Sequence, residues 1–166
     1  MSKTPVSGWA DQGHTAAVGF LCGEAAQQLF WPLCGMYAVA VHESAHCLAN
    51  YLANTHATHV SIVPRGEDAG HVLSGGASYE DTIRVPQRLY LTQDERCALL
   101  FLRLGDPSAN WKTLRTRMRT ARQGANDFVR KHHFVIGSLT DRLLKSRQLG
   151  AEDIRATIEA ALTARG

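Results

Sequence analysis

The pattern of apolar positions in the first third of the chain predicts two helices separated by a proline. Residues 15–30 are rich in Ala, and Pro32 should end that helix because its ring removes a backbone donor. Residues 33–53 are apolar on nearly all sides, which predicts a second helix buried on most faces. The longest apolar stretch, 20–41, is interrupted by Glu24 and other polar residues, so we expect buried helix and no membrane anchor.

An alternating segment then predicts a small hairpin. Residues 59–63 have the sequence His-Val-Ser-Ile-Val, in which β-branched residues alternate with polar ones, as in a half-buried strand. Pro64 begins a turn, and residues 70–73 are expected to return as a second short strand that ends at Gly75.

The second half of the chain is predicted to be helical. Thr92 and Glu95 form a capping box, in which the hydroxyl and the carboxylate each accept a backbone N–H at the helix start. The helix that this box opens should end near Gly105, since Pro107 follows it closely.

A basic amphipathic helix is predicted over residues 109–123, and Gly124 is expected to interrupt it. Helices are also predicted over 127–146 and 152–164. The basic side chains indicate either a surface for acidic partners or a solvated helix face. The apolar residues between them lie at core spacing and the net charge is only +3, so we favour the solvated face and predict no nucleic-acid partner.

Together these elements predict a mainly helical α+β fold with a small β-sheet or hairpin and a C-terminal helical bundle. A chain of 166 residues can bury a sizeable core, and the apolar share of 45% is ordinary for a folded protein. No internal stretch resembles a linker, so residues 1–166 are expected to form a single domain. The first part, 1–14, is expected to be flexible.

The cysteines favour a reducing compartment. The four Cys include no C-x-x-C pair, and the chain is longer than most disulfide-stapled domains. No basic region followed by an apolar run indicates a secretory signal at the N-terminus. These observations predict reduced thiols and a cytoplasmic protein.

One short motif carries recognisable chemistry. Residues 42–46 have the sequence His-Glu-Ser-Ala-His. Positions four apart lie on one face of a helix, so His42 and His46 can bind one metal ion. Glu43 beside them can take a proton from a water molecule that the metal makes acidic. The motif therefore predicts Zn2+ bound by His42 and His46, with Glu43 as the catalytic base.

The apolar surroundings of the motif argue against an incidental pair of histidines. Burying a carboxylate and two imidazoles in an otherwise hydrophobic helix is costly unless they have a partner, and a cation supplies one. Catalytic zinc usually takes three protein ligands. Ala49 and Leu52 exclude the extended motif of the metzincins, while His56 and His59 lie past the predicted helix end and are weak candidates.

The motif and the segments after it resemble the peptidase domain of the FtsH family of membrane-anchored, ATP-dependent zinc proteases. The shared features are the His-Glu-x-x-His helix, a strand that ends in a Pro-Arg-Gly turn at residues 64–66, and a glycine-containing edge strand after it. The resemblance covers residues 36–160 and implies a zincin-like fold and a zinc endopeptidase activity.

The resemblance also implies the third ligand. In the family this ligand is an aspartate in a Gly-Ala-Ser-Asn-Asp segment that opens a later helix, and residues 124–127 here are Gly-Ala-Asn-Asp. By this match Asp127 is the third ligand. An acid stabilised by the free N–H groups of a helix start remains the alternative for Asp127. Asp106 remains a rival ligand.

No nucleotide-binding loop of the type G-x-x-x-x-G-K-[ST] occurs in the chain. The expected activity is therefore ATP-independent hydrolysis of peptides or unfolded protein segments. Residues around 70–74 are expected to bind the substrate as an added strand, or else to be an ordinary hairpin return. The alternative function is an inactive zinc-binding module that regulates or recruits partners. Assembly into homo-oligomers is left open.

Overall fold

The computed structural model describes residues 7–30, 35–55, 57–64, 70–74 and 91–164. Over these residues the chain is mainly helical with one small antiparallel sheet, as the sequence predicted. The helices are α1 (Ser7–Leu29), α2 (Gly35–Leu52), α3 (Gln93–Gly105), α4 (Trp111–Ser146) and α5 (Ala151–Thr163), and the strands are β1 (Ala57–Ser61), β2 (His71–Ser74) and β3 (Gln148–Gly150).

The predicted hairpin is present, and the sheet has one strand more than expected. The strand order is β2-β1-β3, and both pairs are antiparallel. Val60 at the centre pairs with Val72 on one side and with Leu149 on the other. β3 was missed because three residues are too few to show an alternating pattern.

Helix α1 begins earlier than the apolar pattern indicated. It starts at Ser7, so residues 7–14, for which flexibility was expected, are helical. The sequence shows no amphipathic periodicity there, which explains why its start was not detected. Residues 1–6 lie outside the described part of the chain.

The contacts divide the chain into two compact units. Unit 1 comprises residues 1–21 and 79–125, and unit 2 comprises residues 22–78 and 126–166. The division falls inside α1 and inside α4. The single domain of 1–166 that the sequence suggested stays a prediction.

In unit 1, the first part of α1 packs against α3 and α4. The rings of Phe20 and Phe101 lie 5.4 Å apart between their centroids. The capping box of α3 is confirmed, since the Thr92 hydroxyl accepts from the Glu95 backbone N–H and the Glu95 carboxylate accepts from the Thr92 N–H.

Helix α4 runs without a break, so the expected interruption at Gly124 is wrong. A Cβ atom built on Gly124 would lie 3.1 Å from Cγ2 of Val18, a tight contact. The glycine therefore allows α1 to pack closely against α4 within unit 1, and this tertiary reason outweighs the weak helix propensity of the residue.

Unit 2 carries the sheet. α2 contacts β1, β2 and α5, while α5 contacts β1 and β3. The core between them is formed by large buried aliphatic side chains, namely Val41, Leu48, Val60, Ile62, Leu149, Ile154 and Ile158. This packing fixes the helix that carries the His-Glu-x-x-His motif. Among the described helices, none has the length and the apolar character that crossing a membrane requires.

Candidate metal centre

The motif lies in the middle of α2, as the sequence predicted. Ala40, Val41, Ala45, Cys47 and Leu48 on this helix are fully buried. Their burial holds the central turns of α2 in place, and the motif side chains project from these turns. A rigid turn of this kind presents residues four apart to the same point in space.

The two imidazoles of the motif point towards each other. Nε2 of His42 and Nε2 of His46 lie 3.1 Å apart. The ring centroids are 4.7 Å apart, and the ring planes are inclined by 78°. Both rings are half-buried.

The distance between these nitrogens fits two ligands of one small cation. Zinc–nitrogen bonds of about 2.0–2.1 Å at a near-tetrahedral angle place two ligand nitrogens about 3.3 Å apart. Two neutral imidazoles could alternatively share one proton in an N–H···N hydrogen bond at this distance. Imidazole ligands suit zinc and several other first-row metals, so the donor pair fits a transition metal without selecting zinc.

Glu43 is the third chemically active group of the motif. It is only 7% exposed, although a carboxylate of this kind normally faces water. Its side chain lies against the start of β2: a Cβ atom built on Gly70 would be 3.0 Å from both Cγ and Oε1 of Glu43. The carboxylate is therefore placed at the beginning of a strand that, among the described residues, lies at the edge of the sheet.

Cys47, one residue after a motif histidine, is fully buried on the same helix. Burial raises the pKa of its thiol, and the nearby charge of Glu43 raises the pKa further. Burial also raises the pKa of Cys22 to about 12. Among the described residues, Cys22, Cys47 and Cys97 are free thiols.

Asp127, the third ligand that the resemblance implied, is an exposed residue inside α4. It does not open a helix, so the helix-start explanation of this residue is wrong. Within the part of the chain that the structure describes, the Asp127 carboxylate is not grouped with the two imidazoles at ligand distances. Its assignment as a ligand stays a prediction that rests on the resemblance alone.

Asp106, the rival ligand, has a structural role in unit 1. It is the C-cap residue of α3. Its Oδ1 accepts from the Ser108 hydroxyl at 2.7 Å, and its Oδ2 accepts from the Arg117 guanidinium at 2.8 Å. These partners hold the pKa of the Asp106 carboxyl below its usual value, with the Ser108 hydrogen bond as the largest cause. Both oxygens thus stabilise the junction between α3 and α4.

No family model matches this chain, and neither does any curated protein or solved structure.

Two glycines contact side chains of the motif, which the sequence did not indicate for either of them. Gly70 contacts Glu43, and Gly23 of α1 contacts the ring of His42. The run of small residues around Gly23 was a signal of close helix packing, but the sequence does not say which side chain such a helix packs against. The partner is visible only in the fold.

The remaining histidines in the described residues have ordinary surroundings. The ring of His132 packs against Phe128, with centroids 4.8 Å apart. His133 is exposed, and its Nδ1 lies 2.9 Å from the carbonyl oxygen of Arg130. His59 is half-buried on β1, while His56 and the side chain of His71 lie outside the described part.

Proposed function

We propose that this chain is an ATP-independent, zinc-dependent peptidase with a zincin-like site. The observation that carries the proposal is the pair of Nε2 atoms 3.1 Å apart on one turn of α2, with the buried carboxylate of Glu43 beside them. Two imidazoles that converge at this distance are the usual partial ligand set of a catalytic zinc ion. An acid with little access to water next to them is suited to proton transfer.

His42 and His46 would hold the metal, which when bound acts as a Lewis acid towards water and the substrate carbonyl. Glu43 takes one proton from the attacking water while the water oxygen forms a bond to the carbonyl carbon of the peptide. Glu43 then delivers this proton to the leaving nitrogen as the C–N bond breaks. The products are a carboxylic acid and an amine, between which a proton passes to give a carboxylate and an ammonium group, and Glu43 returns to its ionised form.

The place of Glu43 at the start of β2 supports a peptide as the substrate. Backbone groups on the outer edge of β2 can bind an extended chain as an additional strand, through main-chain hydrogen bonds that any peptide can make. An extended chain on this edge would pass close to Glu43 at Gly70. Since only an extended segment can bind in this way, flexible peptides and unfolded proteins are the proposed substrates.

The direct test is cleavage of casein or a quenched fluorescent peptide by the purified chain. We expect cleavage that stops with a zinc chelator, returns with added Zn2+ and does not return with Mg2+, because imidazole prefers zinc over magnesium. A chain that binds zinc and cuts none of these substrates would instead support the non-catalytic zinc-binding module. Cleavage that continues in excess chelator would contradict the metal-dependent mechanism.

Gly70→Ala is expected to slow cleavage and leave zinc bound. The added Cβ would lie 2.6 Å from Cγ1 of Val39, which has to shift, and 3.0 Å from Oε1 of Glu43, which has to give by a few tenths of an ångström. Displacement of a catalytic group by about 1 Å can cost about a hundredfold in rate, so a smaller shift should cost less. We therefore expect turnover to fall by up to about tenfold, measured alongside the zinc content of the same preparation.

Gly150→Ala is the matched control for this prediction. A Cβ built on Gly150 meets no atom within 4 Å, so this variant should cleave as fast as the parent. Equal rates for the parent and the Gly70→Ala variant would contradict the place we give to Glu43 in the reaction.

A further inference from the structure

The C-terminal part of α1 has a buried face of small residues in unit 2. Cys22, Gly23, Ala25 and Ala26 are all buried there. Small side chains allow two helix backbones to approach more closely than the usual 8–10 Å between axes. This face of α1 therefore permits close packing against a neighbouring helix.

Two contacts identify the partner as α2. The side-chain amide of Gln27 donates a hydrogen bond of 3.1 Å to the carbonyl oxygen of Ala38. Gly23, one turn earlier on α1, contacts the ring of His42, one turn later on α2. The residue numbers increase along one helix as they decrease along the other, so the two helices are antiparallel at this seam.

The contact at Gly23 is made by the imidazole itself. A Cβ atom built on Gly23 would lie 2.6 Å from Cε1 and 2.7 Å from both Nδ1 and Nε2 of His42. Real Cβ atoms do not approach other heavy atoms this closely, so any other residue at position 23 would force the ring or the helix to move. The Gln27 bond to Ala38 limits movement of α1, so the ring would yield.

Glycine weakens a helix relative to alanine, and Gly23 lies in the interior of α1. The backbone of Gly23 does not need a glycine, because its φ angle is not positive; among the described glycines only Gly35 has a positive φ angle. The remaining reason for a glycine at this position is the space that the His42 ring occupies.

We propose that Gly23 is a positioning residue for the metal site, which fixes the orientation of His42 so that its Nε2 faces Nε2 of His46. This inference rests on the proposed metal-binding function. In this arrangement α1 forms one wall of the site. Rotation of the ring by a residue larger than glycine would separate the two nitrogens and weaken metal binding.

The test compares Gly23→Ala with Gly137→Ala. A Cβ on Gly137, in α4, meets no atom within 4 Å, so both variants replace a helical glycine but only the first crowds a ligand. Zinc affinity is measured by competition with a chromophoric chelator, and ligand geometry by the visible absorption spectrum of the Co2+-loaded protein. Thermal unfolding of each variant in excess chelator reports on the fold alone.

We expect Gly23→Ala to weaken zinc binding about ten- to a hundredfold and to change the Co2+ spectrum, as is typical when a group that orients a ligand is altered. Gly137→Ala should bind zinc like the parent. Equal zinc affinity in the parent and the Gly23→Ala variant would overturn the role of Gly23 and leave the proposed function standing. A parent that binds no zinc would overturn both.

If Gly23→Ala does not fold, a measurement on the parent protein tests the same proposal. The NMR spectrum of the parent should show a strong nuclear Overhauser effect between the Gly23 Hα protons and the Hε1 proton of His42, because Cε1 is within contact distance of the glycine. Absence of this effect would show that the ring is not held against α1 and would overturn the proposal.

Discussion

Glu43→Gln is expected to abolish peptide cleavage and to leave the bound zinc in place. Glutamine has nearly the same size and can still form hydrogen bonds, but its neutral amide cannot take a proton from water. General bases contribute about 10²- to 10⁴-fold to the rates of such reactions, so kcat should fall by at least that factor.

Glu159→Gln provides the matched control for the loss of a carboxylate. Glu159 accepts a hydrogen bond from the Tyr51 hydroxyl at the surface, and glutamine keeps an acceptor oxygen there. This variant should cleave like the parent. The measurement is a paired assay of peptide cleavage and zinc content, and a Glu43→Gln variant that cuts as fast as the parent would disprove the assignment of the base.

His42→Ala and His46→Ala are each expected to remove the metal and all cleavage. The parent should bind about one zinc ion per chain, and loss of one imidazole leaves too few ligands for tight binding. Metal analysis after gel filtration checks this expectation. His133→Ala, which truncates an exposed histidine of α4, should keep full zinc content. Retention of zinc by both motif variants would show that the metal, if any, binds elsewhere.

The same metal analysis, applied to aspartates, tests the third ligand. Asp127→Ala should lose zinc if the resemblance assigns the ligand correctly, whereas Asp106→Ala should keep zinc and weaken the α3–α4 junction. The variant that loses zinc identifies the ligand.

The elements that local sequence determines were predicted well. The capping box at Thr92 depends on residues three apart, and it forms as expected. The prediction of a helix break at Gly124 was wrong, because the glycine is explained by a contact with Val18, which is far away in the chain. Strand β3 was not predicted for a similar reason, since its three residues form a strand only because β1 lies beside them.

The same distinction separates the parts of the candidate site. His42 and His46 are one helical turn apart, so their convergence follows from the spacing and was predictable. The contacts of Gly23 and Gly70 with the motif depend on how helix and strand pack, which no spacing reveals. The helix start predicted at Asp127 was wrong, because a local pattern typical of a helix start occurs here in the interior of α4.

Strand β1 takes one neighbour from the next strand along the chain and the other from beyond α4. During synthesis the N-terminal elements leave the ribosome first, so α2 and the hairpin emerge well before β3. Until β3 arrives, one edge of β1 presents open backbone groups that favour aggregation. Pairing between such distant segments also slows folding. The nascent chain thus acquires the His-Glu-x-x-His helix before it acquires the strand that completes the sheet supporting this helix.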